Sequence, residues 1–279
     1  MKHQFALIGD PIIHSVSPFI HKRLFEISKI YAEYNLFNIS TKDLGCSMSI
    51  LKNLDGYNIT LPHKQNIIPF LDNLCDKAKL YNCVNTVKNE NMSWGYNTDA
   101  DGFIEALKIE KIPLNGNVII LGCGGAARIF GFESVLNDCN VTFAVREQSM
   151  SRANSLCNDI KKLTNKQVNI TSIDKLPNNI DLLINATPVG MYPNHEEIPI
   201  QESYLSNCKC VFDAIYNPLD TLLIEKANAN GSKVSGGLSM LVLQAVFAHK
   251  IWNNTEYTID EIHQLIEDTK NELKTQFKY

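Results

Sequence analysis

Ile119-Ile120-Leu121-Gly122-Cys123-Gly124-Gly125-Ala126-Ala127-Arg128 runs from an apolar strand through a glycine turn into a helix-forming stretch. The spacing fits G-x-G-x-x-G/A, with Gly122 and Gly124 in the first two places and Ala127 in the third. Gly122 permits the tight turn, Gly124 lets the backbone approach a pyrophosphate, and the small Ala127 lets helix and strand pack closely. Free N–H groups at the helix start, at Gly125 and Ala126, and the positive end of its dipole then hold the phosphates. A structural turn can show the same glycines. Here the strand before, the helix after and a next strand ending near Arg146 select the dinucleotide reading.

Strand-length apolar runs alternate with helix-period segments on both sides of this loop. Downstream, Val141–Val145, Val168–Ile170, Leu182–Asn185 and Val211–Ala214 read as further strands. Upstream, Phe5–Gly9, Tyr34–Ile39 and Tyr57–Leu61 read as strands, and Val84–Val87 with Trp94–Asn97 as a short β pair. Ser17 caps a helix with Pro18 at its first position. Such alternation predicts an α/β protein with parallel sheets. Met240–Trp252 and Ile259–Phe277 are helical with no strand after them. They are expected to pack back on the first domain, which would then comprise 1–102 completed by 239–279, with a Rossmann-type domain of 103–238 between.

Of 279 residues, 44% are hydrophobic, enough for a substantial core and about two domains. The net charge of −4, with both signs interspersed, excludes the basic stripe that nucleic acid requires. No apolar run is long enough for a membrane span or a signal-peptide core, so the cytosol is the expected compartment. The eight cysteines form no C-x-x-C pair and read as reduced core thiols. Cys208 and Cys210 share one strand face. No cluster has metal-ligand spacing, and no metal is expected.

Four further segments carry polar residues that the fold alone does not demand. Ser15 and Ser17 precede a helix N-terminus, where hydroxyls suit a carboxylate; a turn residue and an N-cap read equally well. Tyr57-Asn58-Ile59-Thr60-Leu61-Pro62-His63-Lys64 places a lysine at a helix start, which the dipole disfavours; a solvated surface lysine is the plain alternative. Asn85 falls in a strand, where asparagine is depleted. Asp99, in Gly95-Tyr96-Asn97-Thr98-Asp99, is either a helix cap or a functional carboxylate.

Taken together and in order, these segments resemble the shikimate dehydrogenase family. The matches are I-x-H-S-x-S-P, N-x-T-x-P-x-K, V-N-T, N-T-D and G-x-G-G-A-A-R. Then follow Asn185-Ala186-Thr187-Pro188-Val189-Gly190-Met191, Asp213-Ala214-Ile215-Tyr216-Asn217-Pro218, Thr221, and Gly236-Gly237-Leu238-Ser239-Met240-Leu241 with Gln244-Ala245. The resemblance runs from residue 8 to about residue 252.

That resemblance implies an N-terminal α/β substrate-binding domain and a doubly wound Rossmann-type domain, with the reaction in the cleft between them. It implies reduction of 3-dehydroshikimate to shikimate by a nicotinamide cofactor. Lys64 and Asp99 would be the catalytic pair. Ser15, Ser17 and the Tyr216 hydroxyl would bind the substrate carboxylate. Thr60, Asn85, Asp99 and Gln244 would read the ring hydroxyls. Cofactor contacts are expected from Gly122, Gly124, Gly125, Ala126, Ala127, Arg146, Thr187, Met191 and Gly237. His14 reads as structural, bonding the local turn. A monomer or a homodimer is expected.

NADP is the expected cofactor, with NAD the lesser expectation. NADP-dependent members of the family usually show Asn-Arg-Thr where this chain has Val145-Arg146-Glu147. Arg146 keeps the charge that pairs with a 2′-phosphate, and Arg152 offers a second. Glu147 would repel the phosphate if it pointed inward. The competing readings are an NAD-dependent quinate/shikimate dehydrogenase, a methylene-tetrahydrofolate dehydrogenase, and a catalytically silent shikimate or nucleotide sensor. The tyrosine-lysine helix motif of the second is absent from the sequence, and intact Lys64 and Asp99 argue against the third.

Overall fold

A computed structural model describes residues 2–13 and 15–277 of the chain; His14 and the turn-bonding role read for it lie outside these. The chain divides into two compact units. One comprises the residues up to Gly102 together with those from Val242 onward, and the other is Phe103–Leu241. No helix among the described residues is long and apolar enough to cross a membrane.

The first unit runs β1 (His3–Gly9), α1 (Ser17–Ser28), β2 (Ala32–Asn38), α2 (Leu44–Leu51), β3 (Gly56–Ile59), α3 (His63–Asn66), β4 (Asn73–Leu74), α4 (Asp76–Tyr81), β5 (Thr86–Asn89), β6 (Ser93–Tyr96) and the start of α5 (Asp99–Ile109). Its sheet has the order β2-β1-β3-β5-β6-β4. β1 is parallel to β2 and β3, whereas β5 is antiparallel to β3 and β6. The antiparallel β5 and β6 are the short β pair expected from Val84–Val87 and Trp94–Asn97. A tight hairpin joins β5 to β6, and hairpins close antiparallel pairs without a crossover helix. β1 is buried from Phe5 to Gly9, as a strand covered on both faces must be. Ile8, Leu51, Tyr57, Ile59, Val84 and Val87 form the main core.

α9 (Leu238–Asn253) and α10 (Ile259–Phe277) close the chain. Trp252 fixes α9 to the first sheet: its indole N–H donates to the Val87 carbonyl at 2.8 Å, and its ring stacks on Phe5 at 4.5 Å. A Cβ at Gly56 would stand 2.4 Å from the Trp252 Nε1 atom, so this approach requires a glycine.

The second unit runs β7 (Asn117–Leu121), α6 (Gly125–Leu136), β8 (Asn140–Val145), α7 (Met150–Thr164), β9 (Asn169–Ser172), β10 (Ile180–Asn185), β11 (Cys208–Asp213), α8 (Leu222–Ala229) and β12 (Lys233–Ser235), all after α5. Its sheet is wholly parallel in the order β12-β11-β10-β7-β8-β9. The chain builds outward from β7 in one direction and then in the other, which is the doubly wound pattern. Ligands of such sheets bind beyond the carboxyl ends of the strands where the order reverses, here β7 and β10. β12 and β4 are short edge strands that the apolar pattern does not reveal. Cys208 and Cys210 lie on β11, both buried, and all eight cysteines are free thiols.

Candidate active site

Lys64 and Asp99 meet in the first unit. The Lys64 Nζ atom donates to Asp99 Oδ2 at 2.7 Å, with 25% of the lysine side chain and 12% of the aspartate side chain exposed. β3 ends at Ile59, and Pro62 stands in the cap position of the short helix α3 that carries Lys64. The Val84 N–H bonds the Lys64 carbonyl at 2.8 Å and ties that helix to the strand region behind it. Burial depresses the Lys64 pKa, but the Asp99 charge, the Cys83 thiol and the hydrogen bond to Asp99 outweigh it and hold the value above the usual lysine range. The ammonium therefore keeps its proton at neutral pH. Asp99 is not a helix cap. In the first turn of α5 the Ala100 N–H donates to Asn97 Oδ1 at 3.2 Å, which leaves the Asp99 carboxylate for other partners.

Asn85 orients that carboxylate. It lies in a bend immediately before β5 and not within the strand. Its side chain bonds across to the next segment, and such bonds compete with ladder pairing. The Thr98 N–H donates to Asn85 Oδ1 at 2.7 Å. A backbone N–H can only donate, so this contact settles which end of the amide is oxygen. Asn85 Nδ2 must then face Asp99 Oδ1 and Thr98 Oγ1, both at 2.9 Å. Behind it, Tyr34 Oη donates to Asn58 Oδ1 at 2.8 Å, and Asn58 Nδ2 donates to Thr86 Oγ1 at 3.0 Å. Thr86 Oγ1 donates to Asn85 Oδ1 at 3.1 Å. Asn85 is 3% exposed and Asn58 is 4% exposed. This file of polar side chains escaped the sequence reading, although Asn58, Thr86 and Thr98 all stand inside the quoted motifs.

The remaining first-unit residues lie on elements of the same sheet and its helices. Thr60 follows β3, and its N–H bonds the Ile8 carbonyl at 2.9 Å. Ser17 is the first residue of α1, with Val16 in the cap position and no side-chain cap. The expected Ser17 cap is thus absent. Ser15 Oγ accepts from the Ser17 N–H at 3.2 Å instead, so the earlier serine satisfies the helix start. Gln244 sits half-buried on α9. One turn below these two helix segments, His21 of α1 meets His249 of α9, Nδ1 to Nε2, at 3.1 Å. His249 Nδ1 reaches Tyr257 Oη at 2.8 Å, and His21 stacks on Tyr34 at 4.0 Å. Burial drives the His249 pKa down to about 3; burial and then His249 push His21 well below the usual histidine value.

The second unit holds a cavity of about 270 Å³ at the carboxyl ends of its central strands. Gly122, Cys123, Gly124, Arg146, Arg152 and Thr187 are among its lining residues. Gly122 has φ +97°, a conformation that favours glycine. A Cβ added at Gly124 or Gly125 would meet no atom within 4 Å. These glycines leave open space above the first turn of α6, which Gly125 and Ala126 begin and where Ala127 is fully buried. The residues present therefore fit a pyrophosphate cradled on backbone N–H groups. Arg146 follows β8 and is exposed, as are Glu147 and Arg152. Gln148 and Ser149, which the motif reading missed, line the same cavity.

Met191 is 46% exposed on the loop after β10. Tyr216 is half-buried after β11, with burial raising its phenol pKa. Gly237 precedes α9. A Cβ there would stand 2.3 Å from the Ala214 carbonyl oxygen, and its N–H bonds the Ile215 carbonyl at 2.9 Å. Close backbone packing accounts for this glycine.

Residues 7–87 match the family model described as the shikimate dehydrogenase substrate binding domain. A shikimate dehydrogenase (NADP(+)) of Caldanaerobacter subterraneus subsp. tengcongensis is 35% identical over 268 residues, covering 94% of this chain and 95% of the relative. A crystal structure of a shikimate dehydrogenase in complex with NADP+ superposes with a TM-score of 0.89 at 35% identity, covering 96% of this chain and 95% of that one. The Thermus thermophilus shikimate 5-dehydrogenase, solved in complex with NADP(H) and shikimate, gives a TM-score of 0.87 at 29% identity, covering 96% and 99%.

Proposed function

The chain belongs to the shikimate dehydrogenase family, and from that premise we propose that it interconverts 3-dehydroshikimate and shikimate with NADP(H). The observation that carries the reading is the Lys64–Asp99 pair, 2.7 Å apart and held by the Asn85 amide. When bound, the nicotinamide supplies the hydride that reduces the C3 carbonyl. The residues for the dinucleotide are Gly122, Gly124, Gly125, Ala126, Ala127, Arg146, Thr187, Met191 and Gly237. Their main contribution is a backbone cradle with arginines at its rim.

The first unit handles charge and the proton. As the C3 oxygen gains negative charge, the Lys64 ammonium stabilises it and delivers a proton. Asp99 accepts from Lys64 and from the neighbouring ring hydroxyl, which orients both. Because a quarter of the Lys64 side chain is exposed, solvent can return the proton. Thr60, Asn85 and Gln244 read ring hydroxyls. Ser15 and Ser17 bind the carboxylate at the start of α1, where the helix dipole favours an anion, and Tyr216 is assigned to the same group by its motif position. The free thiols fit a reducing compartment, and we place the enzyme in the cytosol.

The test is NADPH oxidation by purified protein given 3-dehydroshikimate. Turnover supports the reading, and folded protein with no turnover overturns it. NAD-dependent quinate oxidation is the second reading, favoured by one observation. Val145, 1% exposed, ends β8 without a side-chain hydrogen-bonding group. Faster turnover of quinate with NAD than of shikimate with NADP would select it.

A further inference from the structure

Asp213 ends β11 with 0% exposure, and among the described residues no ion pair involves it. Three donors converge on its carboxylate. Asn185 Nδ2 and the Ile215 N–H reach Oδ1, both at 3.0 Å, and Thr221 Oγ1 reaches Oδ2 at 2.7 Å. Asn185, at the end of β10, is also 0% exposed. Its Oδ1 accepts from the Thr187 N–H at 3.0 Å and from Thr187 Oγ1 at 2.7 Å. Thr187 in turn abuts the glycine turn: a Cβ at Gly122 would stand 3.0 Å from Thr187 Cγ2. Asp213, Asn185, Thr187 and Gly122 therefore form one contiguous file, ending at the wall of the second-unit cavity.

An amide can face either way, and what lies on each side decides. Thr187 presents a backbone N–H, which demands the Asn185 oxygen. Asp213 presents an acceptor, which demands the Asn185 nitrogen. Were residue 213 to offer no acceptor, only the longer bond from Asn185 Nδ2 to the Val189 carbonyl, at 3.3 Å, would remain on that side, and the grip of Asn185 on Thr187 would loosen. We propose that Asp213 is a positioning residue for dinucleotide binding: through Asn185 it holds Thr187 against the Gly122 turn and so sets one wall of the cofactor cavity. This rests on the reading that the second unit binds NADP(H). A buried carboxylate without a cation is costly to ionise. Burial raises the Asp213 pKa to about 6 even though three donors oppose it, a cost that a turn alone does not call for.

The experiment compares the NADPH dissociation constant, by fluorescence titration, of wild type, Asp213→Ala, Asp213→Asn and Asn185→Ala, with kcat at saturating substrates and the thermal midpoint of each. Asp213→Ala and Asn185→Ala should each raise the dissociation constant roughly tenfold or more, the loss of about 1.4 kcal/mol. In both, kcat at saturation should stay within about threefold. Asp213→Asn keeps an acceptor oxygen for Asn185 and should bind within about threefold of wild type. A merely structural role would lower the thermal midpoint and leave the dissociation constant of the folded protein unchanged in every variant, which overturns the inference. If Asp213→Ala does not fold, Asn185→Ala decides: unchanged NADPH binding overturns the inference, and a tenfold loss alongside an unaffected Asp213→Asn supports it. Wild type that binds no NADPH removes the cofactor reading, and this inference with it.

Discussion

Two buried aspartates stand in the two units, Asp99 at the start of α5 and Asp213 at the end of β11, and their surroundings differ in kind. Asp99 in the first unit has an ammonium 2.7 Å away and an amide donor beside it. Asp213 in the second has three neutral donors and, among the described residues, no cation. In the proposed reaction the first arrangement is the charged pair that meets a substrate oxygen. The second uses a carboxylate to fix hydrogen-bond directions, and burial pushes its pKa up to about 6. A neighbouring charge, more than burial as such, decides whether a buried carboxylate serves chemistry or architecture.

Breaking the pair gives the largest expected effect. Lys64→Ala should lower kcat by ~10²–10⁴, the usual range for a lost acid–base group, with less change in shikimate KM. Asp99 then loses its cation and comes to resemble Asp213. Steady-state kinetics on the folded variant check this, and near wild-type turnover would remove Lys64 from the catalytic role.

The ligand-facing groups of the two units contrast the other way. Neutral hydroxyls start α1, whereas arginines rim the second-unit cavity. Ser15→Ala should raise shikimate KM roughly 10- to 150-fold, the loss of ~1.5–3 kcal/mol for a hydrogen bond to a charged group. Cofactor KM should barely move. Arg146→Ala should cost a comparable factor in kcat/KM for NADP and far less for NAD. The contrast is sharpened by salt. The Arg146 contribution should shrink between low and high ionic strength, because an exposed charge is screened, and the Ser15 contribution should shrink less. Equal salt dependence would break the distinction.

How much of this was legible in the sequence follows the range of the contacts. The glycine loop was readable because strand, turn and helix are consecutive. Gly122 needs its φ of +97°, and the residues around it announce that need. Lys64 and Asp99 were found through their motifs, not through their partnership, since 35 positions separate them in the chain. Asn85 lies outside the strand that the pattern predicts for it because its side chain bonds to Thr98, thirteen residues on. Pattern reading sees period and composition, not a bond made across a hairpin. Asp213, Asn185 and Thr221 stand in matching motifs that assign them no role, because a carboxylate's acceptors acquire meaning only when the donors around it are known. Ser17 shows the local limit: either of two serines can serve a helix start, and only geometry selects Ser15.

The buried histidines of the first unit and the buried Asp213 of the second should also respond oppositely to acid. His21 and His249 have depressed pKa values when folded, His249 down to about 3 against 6.5 unfolded. The unfolded chain then binds protons that the native one refuses, so their contribution is present above pH 6.5 and lost as pH falls toward 3. Asp213 has the reverse sign. Its folded pKa of about 6 exceeds the reference of 3.8, so stability falls as pH rises through that window and gains as pH drops. Asp213→Asn removes the opposing contribution. Stability should then fall more steeply between pH 6 and 4 than in wild type, by up to about 1.4 kcal/mol per pH unit for one proton. His249→Gln should flatten the slope. Denaturant unfolding across this range checks both, and an unchanged slope in Asp213→Asn would mean that its carboxyl does not titrate there.

The smallest effect expected is at Glu147. It is exposed immediately after Arg146, and both follow the buried end of β8. A carboxylate there lowers the local positive potential that a 2′-phosphate would meet, and it could compete for the Arg146 guanidinium. Both effects act through solvent, so each is modest: exposed charge pairs contribute roughly 0.2–1 kcal/mol. Glu147→Thr should therefore raise the ratio of kcat/KM for NADP over NAD by only about two- to fivefold, and mostly through the NADP arm. NAD lacks the phosphate and should be nearly indifferent. The gain should fade at high ionic strength, as an effect carried by screened charges must. It should also disappear in an Arg146→Ala background if Glu147 acts mainly by occupying the arginine, and persist there if it acts directly on the phosphate. A Glu147→Thr variant with an unchanged NADP preference would show that this carboxylate points away from the phosphate and that the second-unit rim is governed by Arg146 and Arg152.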